Sequence, residues 1–359
     1  MTRAAEAYIN LQALRHNFQR ARESAADSRI MAVVKANGYG HGLVRVAQVL
    51  AGADAFGVAN IDEAVILRDA GITRPVVILQ GVLDAAELEE AARGALHIVV
   101  HHPSQVELLE RMPLQRPVCT WLKVDTGMHR LGFAPESVPA AWQRLENCPG
   151  VAKPVRLMTH LSDAEDRSGE HTRQQLACFN AVAAPLSAEY SVANSAALLA
   201  SPETHGHWVR PGLMLYGASP FTDTTAADEG LRPVMTLKTR LIAVNRYRKN
   251  DRVGYGGEWV CPEDMPVGVA AVGYGDGYPR HALCGTPVRV NNKHATLIGR
   301  VSMDMICIDL RGQPEAQVND PVVLWGEGLP VEVVARHAST IAYDLLCGVS
   351  QRVQIKVGD

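Results

Sequence analysis

The sequence predicts an α/β protein in two parts: a TIM-like parallel (β/α)8 barrel over residues 1–231 and a smaller, mostly antiparallel β domain over 232–359. Three observations carry this reading. Across the first two thirds of the chain, short apolar runs alternate with helical patterns about eight times, the rhythm of a parallel sheet closed on itself. After Leu231 the helical periodicity nearly vanishes, and valine-rich runs recur between Gly, Pro, Asn and Asp. The first barrel strand is followed by Gly38, Gly40 and Gly42, whose spacing is not that of a dinucleotide fingerprint. An open doubly wound sheet would call for that fingerprint.

Barrel strands are expected at Ile30–Lys35, Ala55–Val58, Val76–Gln80, Ile98–Val100, Val118–Val124, Val155–His160, Ser191–Asn194 and Val209–Tyr216. Helical patterns fall at Leu11–Arg22, Leu43–Leu50, Ile61–Ala70, Ala85–Ala92, Gln105–Arg111, Pro139–Leu145 and His171–Val182. Ile61-Asp62-Glu63 and Pro103-Ser104 read as helix starts, Gly71 and Gly94 as stops. In the second part, strands are expected at Leu241–Val244, Val267–Val272, Val288–Val290, Ile306–Leu310, Val322–Trp325 and Val353–Val357, with one helix around Val331–His337. A hinge near Glu229–Arg232 separates the two parts.

Composition bounds the function. With 47% hydrophobic and 20% charged residues the chain is an ordinary globular protein, and 359 residues suffice for two cores. A net charge of −3 without a basic block gives no electrostatic case for nucleic acid or an anionic membrane. No apolar run approaches a membrane span. Met1–Asn10 lacks the apolar core of a signal peptide. The seven cysteines lie far apart with no Cys-x-x-Cys pair, as a reducing compartment leaves them, so a cytoplasmic location is expected.

The most informative segment is Ala32-Val33-Val34-Lys35-Ala36-Asn37-Gly38-Tyr39-Gly40-His41-Gly42. It carries a lysine from a buried strand into a glycine-rich turn, where an unpaired ammonium would lose its hydration. An imine to a cofactor aldehyde would use up that amine and remove its charge. On this segment alone, a structural ion pair is an equal reading. What favours chemistry is agreement between segments. Polar residues recur at the C-terminal ends of the expected strands, the end where barrel active sites are built. They are Lys35 with Tyr39, Lys123 with Asp125 and Arg130, His160, Asn194 with Ser195, and Arg210-Pro211-Gly212. Gly212 lets a phosphate approach bare N–H groups, and Ser195 and Tyr39 could donate hydroxyls to the same oxygens. Arg210 alone could equally be structural. In the β domain, Gly254-Tyr255-Gly256-Gly257 and Gly273-Tyr274-Gly275 set tyrosines between glycines, a costly way to build a strand. His101-His102 and His205/His207 lack further ligands, so no metal is expected.

Together these blocks resemble the alanine racemase family over nearly the whole chain. The resemblance rests on the Lys35 block, Lys123–Leu131, Thr159-His160, Trp208–Gly217, both glycine–tyrosine loops, Ser302–Met305 and Tyr343-Asp344-Leu345. It implies pyridoxal 5'-phosphate as cofactor, L- and D-alanine as substrates, and a homodimer whose chains share active sites. By resemblance, Lys35 holds the cofactor and is the base on the D-face, while Tyr255 of the partner subunit is the base on the L-face. A chain of contacts from Tyr255 through His160 and Arg210 to the pyridine nitrogen is implied. Tyr39, Ser195, Gly212, Leu213 and Tyr343 are implied phosphate ligands. Arg130 matches a position that binds the substrate carboxylate and the cofactor's phenolic oxygen, Met303 of the partner subunit one that adds a backbone contact to that carboxylate, Lys123 one that is often carbamylated, and Tyr274 and Asp304 residues of the entrance.

The activity so implied supplies D-alanine for peptidoglycan or runs alanine catabolism. Three alternatives were weighed: a racemase of broader specificity, a barrel-fold amino-acid decarboxylase, and a non-catalytic pyridoxal-phosphate carrier. The tyrosine of the Gly254–Gly257 loop speaks against the decarboxylase, and the β domain itself against the carrier.

Overall fold

The computed structural model describes residues 4–359; Met1–Arg3, part of the expected N-terminal segment, lie outside the described residues. The chain forms two compact units, Phe18–Leu215 and a second one that joins the residues up to Asn17 to Tyr216–Asp359. Strand β1 (Glu6–Asn10) therefore belongs with the C-terminal part, where the sequence boundary at 231 had placed it with the barrel. The physical reason is visible in its burial. Ala7 and Ile9 are buried and their neighbours are half-exposed, the period-two pattern of a strand with one wet face. The barrel strands Ala55–Val58 and Val76–Ile78, by contrast, are buried along their whole length.

In Phe18–Leu215, eight parallel strands close into a barrel. They are β2 (Arg29–Val33), β3 (Ala55–Val58), β4 (Val76–Ile78), β5 (His97–Val100), β6 (Val118–Lys123), β7 (Val151–Met158), β8 (Tyr190–Ser191) and β9 (Trp208–Val209), and β9 pairs back onto β2. Seven of them each send one residue into a shared interior layer: Met31, Ala55, Val77, Val99, Trp121, Met158 and Trp208. Trp121 and Trp208 meet edge to face, 5.6 Å between centroids. Below this layer Glu189 pairs with Arg29 and Arg156 and accepts from the Trp208 indole. Burial opposes the Glu189 charge, but these donors outweigh it and hold the carboxyl near pKa 2. Arg29 opens β2 and Glu189 immediately precedes β8, so this ion cluster lies at the N-terminal end and leaves the C-terminal end for chemistry.

Two strands differ from expectation. β9 is only Trp208–Val209, and the apolar run expected to continue it becomes a loop and a 3-10 turn, Leu213–Tyr216. Pro211, with no N–H to give a ladder, stops the strand. β2 ends at Val33, so Lys35 opens the following turn.

The second unit holds β10 (Met235–Tyr247), β11 (Arg252–Val253), β12 (Trp259–Val260), β13 (Met265–Ala270), β14 (Pro287–Val290), β15 (Lys293–Ile298), β16 (Ile306–Asp309), β17 (Pro321–Trp325) and β18 (Gln354–Gly358). Its main sheet runs β13-β16-β15-β14-β17-β10-β1-β18, and β10 also pairs with β13, so six strands close on themselves. Every pairing is antiparallel except β1 with β18. No helix among the described residues is long and apolar enough to cross a membrane.

Candidate active site

The turn after β2 is the most strained backbone near the barrel's open end. Ala36, Asn37, Gly38 and Tyr39 all have φ between 51° and 61°. Left-handed backbone costs an L-residue about 1–2 kcal/mol, and a run of such residues persists only where the surroundings over-determine it. They do so here. Gly38 N–H donates to Val34 O (2.8 Å), Gly40 N–H to Ala36 O (3.0 Å) and Gly42 N–H to Asn37 O (2.8 Å). The Asn37 side chain accepts from Leu43 N–H (2.9 Å). Buried His41 donates Nδ1–H to Tyr39 O (2.8 Å), and burial lowers its pKa to about 4 despite the carbonyl bonds. The result is a rigid turn that aims Lys35.

Lys123 is the last residue of β6 and is 9% exposed. Asp125 organises the loop beyond it, accepting from Gly127 N–H (3.1 Å) and His129 N–H (2.9 Å), and the loop presents Arg130 to solvent. Gln175 ties this loop to the one after β7. Its amide donates to Thr126 Oγ1 and to His160 O, both 3.2 Å, and accepts from Ser162 N–H at 2.9 Å.

Arg210 lies buried just past β9. It donates to Ser191 Oγ (2.6 Å), Thr159 O (2.6 Å) and Val192 O (3.2 Å), and its Nη2 lies 3.4 Å from His160 Nδ1. A guanidinium only donates, so Nδ1 is the acceptor and the His160 proton sits on Nε2. Burial first, then Arg210, Lys123, Arg130 and Lys35, lower the His160 pKa to about 3, and the ring is neutral. Burial also lowers Arg210 to about 10, which leaves it protonated at neutral pH. Lys123 falls to about 8, through burial and then through Arg210, Arg130 and Lys35. Lys35, Arg130 and Arg210 thus act on both Lys123 and His160, which brings five sequence-predicted residues into one electrostatic neighbourhood.

Tyr39, Ser195 and Gly212 come together at the same end of the barrel. Ser195 Oγ accepts from Gly212 N–H (2.8 Å) and Met214 N–H (3.4 Å), which leaves its own proton to give. A Cβ at Gly212 would stand 2.6 Å from Tyr39 Oη, so only glycine allows this approach. Leu213 is buried next to it.

The predicted residues of the second unit occupy exposed loops. Tyr255 lies in a 3-10 turn between β11 and β12, flanked by Gly254 (φ 76°) and Gly256 (φ 73°), and is 69% exposed. Tyr274 N–H donates to Ser302 O and Gly275 N–H to Met303 O, both 3.0 Å. A Cβ at Gly273 would come within 2.2 Å of Ser302 O, which explains the glycine before that tyrosine. Arg352 pairs with Asp304 and lies 3.4 Å from Asp276, joining the Tyr274 and Met303 loops. Tyr343 sits in the helix Ala342–Cys347 and is partly exposed.

Gln175 and Glu63 contribute to this architecture and were not singled out from sequence as site residues. Glu63 had a signal, its capping-box spacing after Asn60. Gln175 had none, because a buried amide inside an amphipathic helix looks like any polar position.

A closed parallel barrel with a lysine on a strained turn and a ring of cations at its C-terminal end, joined to an antiparallel β unit, defines a (β/α)8-barrel enzyme of a two-unit class. Comparison with known proteins specifies it. Residues 9–220 match the alanine racemase N-terminal domain and 234–357 the alanine racemase C-terminal domain. The chain belongs to the alanine racemase family, and is an isomerase. It is 58% identical to the alanine racemase of Nitrosococcus oceani, over 97% of this chain and 98% of that one. It is 48% identical to the biosynthetic alanine racemase of Escherichia coli K12, over 99% of both. The crystal structure of the biosynthetic alanine racemase from Pseudomonas aeruginosa superposes with a TM-score of 0.97 at 41% identity, covering both chains fully.

Proposed function

We propose that the chain interconverts L- and D-alanine with pyridoxal 5'-phosphate held at the open end of the barrel and a proton acceptor on each face of the substrate. The observation that supports this reading is the placement of Lys35 on a strained turn, where its charge acts with those of Arg130 and Arg210 on Lys123 and His160. The residues fit such a cofactor. Lys35 supplies the amine for its aldehyde. Tyr39, Ser195 and the Gly212 and Leu213 backbone suit its phosphate, with Tyr343 as a further ligand. Arg130 suits its phenolic oxygen, and Arg210 its ring nitrogen. When bound, pyridoxal phosphate supplies an electron sink that makes the α-proton of an attached amino acid removable.

Racemisation in both directions needs one base on each side of the reacting carbon. Lys35 is assigned to the D-face and Tyr255 of the partner subunit to the L-face. A phenol has a pKa of about 10 and needs help to act as a base. His160 can give it, because the imidazole accepts from Arg210 on Nδ1 and offers Nε2–H to a phenolate. Arg210 keeps its proton, so it would donate to the ring nitrogen of a bound cofactor without protonating it, which would make the ring a weaker electron sink and suppress side reactions. Arg130 and the Met303 backbone are assigned to the substrate carboxylate. Tyr274 and Asp304 are assigned to the entrance, where crowding would favour a methyl side chain.

The assignment of Tyr255 requires a homodimer, and the wide exposure of Tyr255 and Met303 supports one. We further assign the enzyme to the cytoplasm, where D-alanine enters peptidoglycan precursors or alanine is catabolised.

The test is to incubate the purified protein with pyridoxal phosphate and L-alanine and assay D-alanine and released carbon dioxide. D-alanine without carbon dioxide is expected. Carbon dioxide release would point to a decarboxylase, and bound cofactor with neither product would overturn the reading. Tyr255→Phe should slow proton exchange from L-alanine in heavy water far more than from D-alanine. Equal losses would refute the two-base assignment.

A further inference from the structure

We infer that Glu63 is a positioning residue of this reaction, a single carboxylate that straps the strained turn of Lys35 to the end of β3. The inference rests on the reading of Lys35 as the residue that carries the cofactor. Glu63 lies in the first turn of the helix Ile61–Asp69, whose N-cap is Asn60; the Asn60 side chain accepts from Glu63 N–H at 3.1 Å. Its two carboxylate oxygens serve different segments. Oε2 accepts from Ala59 N–H at 2.9 Å, just past β3, and Oε1 crosses to accept from Asn37 N–H at 3.2 Å.

The second bond is what a helix cap does not need. A capping box requires one oxygen reaching back to the start of the helix, and Glu or Gln serves it equally. Here the other oxygen reaches a residue two positions from Lys35, inside the run of left-handed backbone. That run is held internally by its own turn bonds, and its leading end is tied to β3 by Val34 N–H donating to Gly57 O (2.8 Å). Glu63 adds a second, charge-assisted anchor inside the left-handed run itself. Released from it, the turn keeps its shape and its tie at Val34, and the placement of Lys35 loosens.

Three variants of the full-length chain separate the two roles. Glu63→Ala removes the strap. Glu63→Gln keeps one oxygen, which the shorter Ala59 bond retains, and so keeps the cap while loosening the strap. Asn60→Ala removes the cap of the helix and leaves the strap. Each is stripped of cofactor and titrated with pyridoxal 5'-phosphate, read by visible absorbance and circular dichroism, with Tm measured alongside. We expect Kd to weaken about tenfold in Glu63→Ala, which loses the charge-assisted bond to the turn together with the one to Ala59. Glu63→Gln should weaken binding in the same direction, and Asn60→Ala should lower Tm with Kd unchanged. A wild-type Kd in both Glu63 variants, or an equal loss in Asn60→Ala, overturns the inference. Should Glu63→Ala not fold, Glu63→Gln decides by the same criterion. Lys35→Ala, run beside them, tells the two readings apart. A retained visible band in that variant overturns the role of Lys35; its loss, with unchanged Glu63 variants, overturns only the strap.

Discussion

His41 should make folding acid-sensitive in a defined window. The imidazole is fully buried and donates to Tyr39 O, and burial lowers its pKa from 6.5 to about 4. The unfolded chain therefore takes up a proton near pH 6.5 that the folded chain refuses until about pH 4. Stability from this group is fully present above about pH 6.5 and is lost as pH falls toward 4, at up to about 1.4 kcal/mol per pH unit and about 3.4 kcal/mol in all. His97, held to about 4 by burial and then by Arg156 and Arg68, and His160, at about 3, act with the same sign. His41→Asn keeps a donor for Tyr39 O without a titrating group. Proton uptake on unfolding in urea at constant pH counts the effect without assuming that both units unfold together. Near pH 5.2 the unfolded imidazole is about 95% protonated and the buried one about 5%. The variant should thus take up about one proton fewer than the wild type. Equal uptake would refute both the burial argument and the assignment of the Nδ1 proton.

Gly212→Ala places a Cβ 2.6 Å from Tyr39 Oη and must displace the phenol. Cofactor Kd should weaken at least about tenfold; unchanged binding would remove Gly212 and Tyr39 from the phosphate site. At a pKa of about 8, Lys123 has a sizeable fraction of neutral amine near neutral pH, the form that adds carbon dioxide to give a carbamate and a proton. Carbon-labelled bicarbonate should therefore give a carbamate resonance that disappears in Lys123→Ala. A spectrum unchanged by that substitution would exclude the modification.

Most of the fold was legible because barrel strands and helices alternate in period and composition, and the change after Leu231 is abrupt. What escaped was placement. The one-faced alternation of Glu6–Asn10 marks a sheet with a wet side, yet sequence order alone drew it into the barrel. Lys35 read as a strand end, although Asn37, Gly38 and Gly40 signal a left-handed turn; nothing local shows that Ala36 and Tyr39 would share it, since neither prefers positive φ. In the site, residues of unusual chemistry stood out at strand ends. Ser191, Thr159 and Thr126 did not, because a buried hydroxyl that bonds a neighbour has no period and no motif. The ionisation of the site was equally hidden. A neutral His160 and a depressed Lys123 follow from burial and from charges brought together by four separate strands.

That ionisation determines what the barrel is built to receive. Arg210, Arg130 and Lys35 all act on Lys123, and Asp125, which opposes them, is the last of the influences on it. Asp125 is instead turned to backbone N–H groups of its own loop and to His129. Burial first, and then these cations, hold Lys123 at about 8 and His160 at about 3. A phosphate and a carboxylate brought by ligands would add negative charge beside them. Their binding must then raise the stability of Phe18–Leu215 by mass action, while raising the Lys123 amine back toward its ordinary range. The same surroundings explain why Arg210 is arginine. At a buried position beside other cations a lysine would give up its proton, whereas the guanidinium, even lowered to about 10, keeps the charge that holds His160 neutral and its Nε2 proton in place.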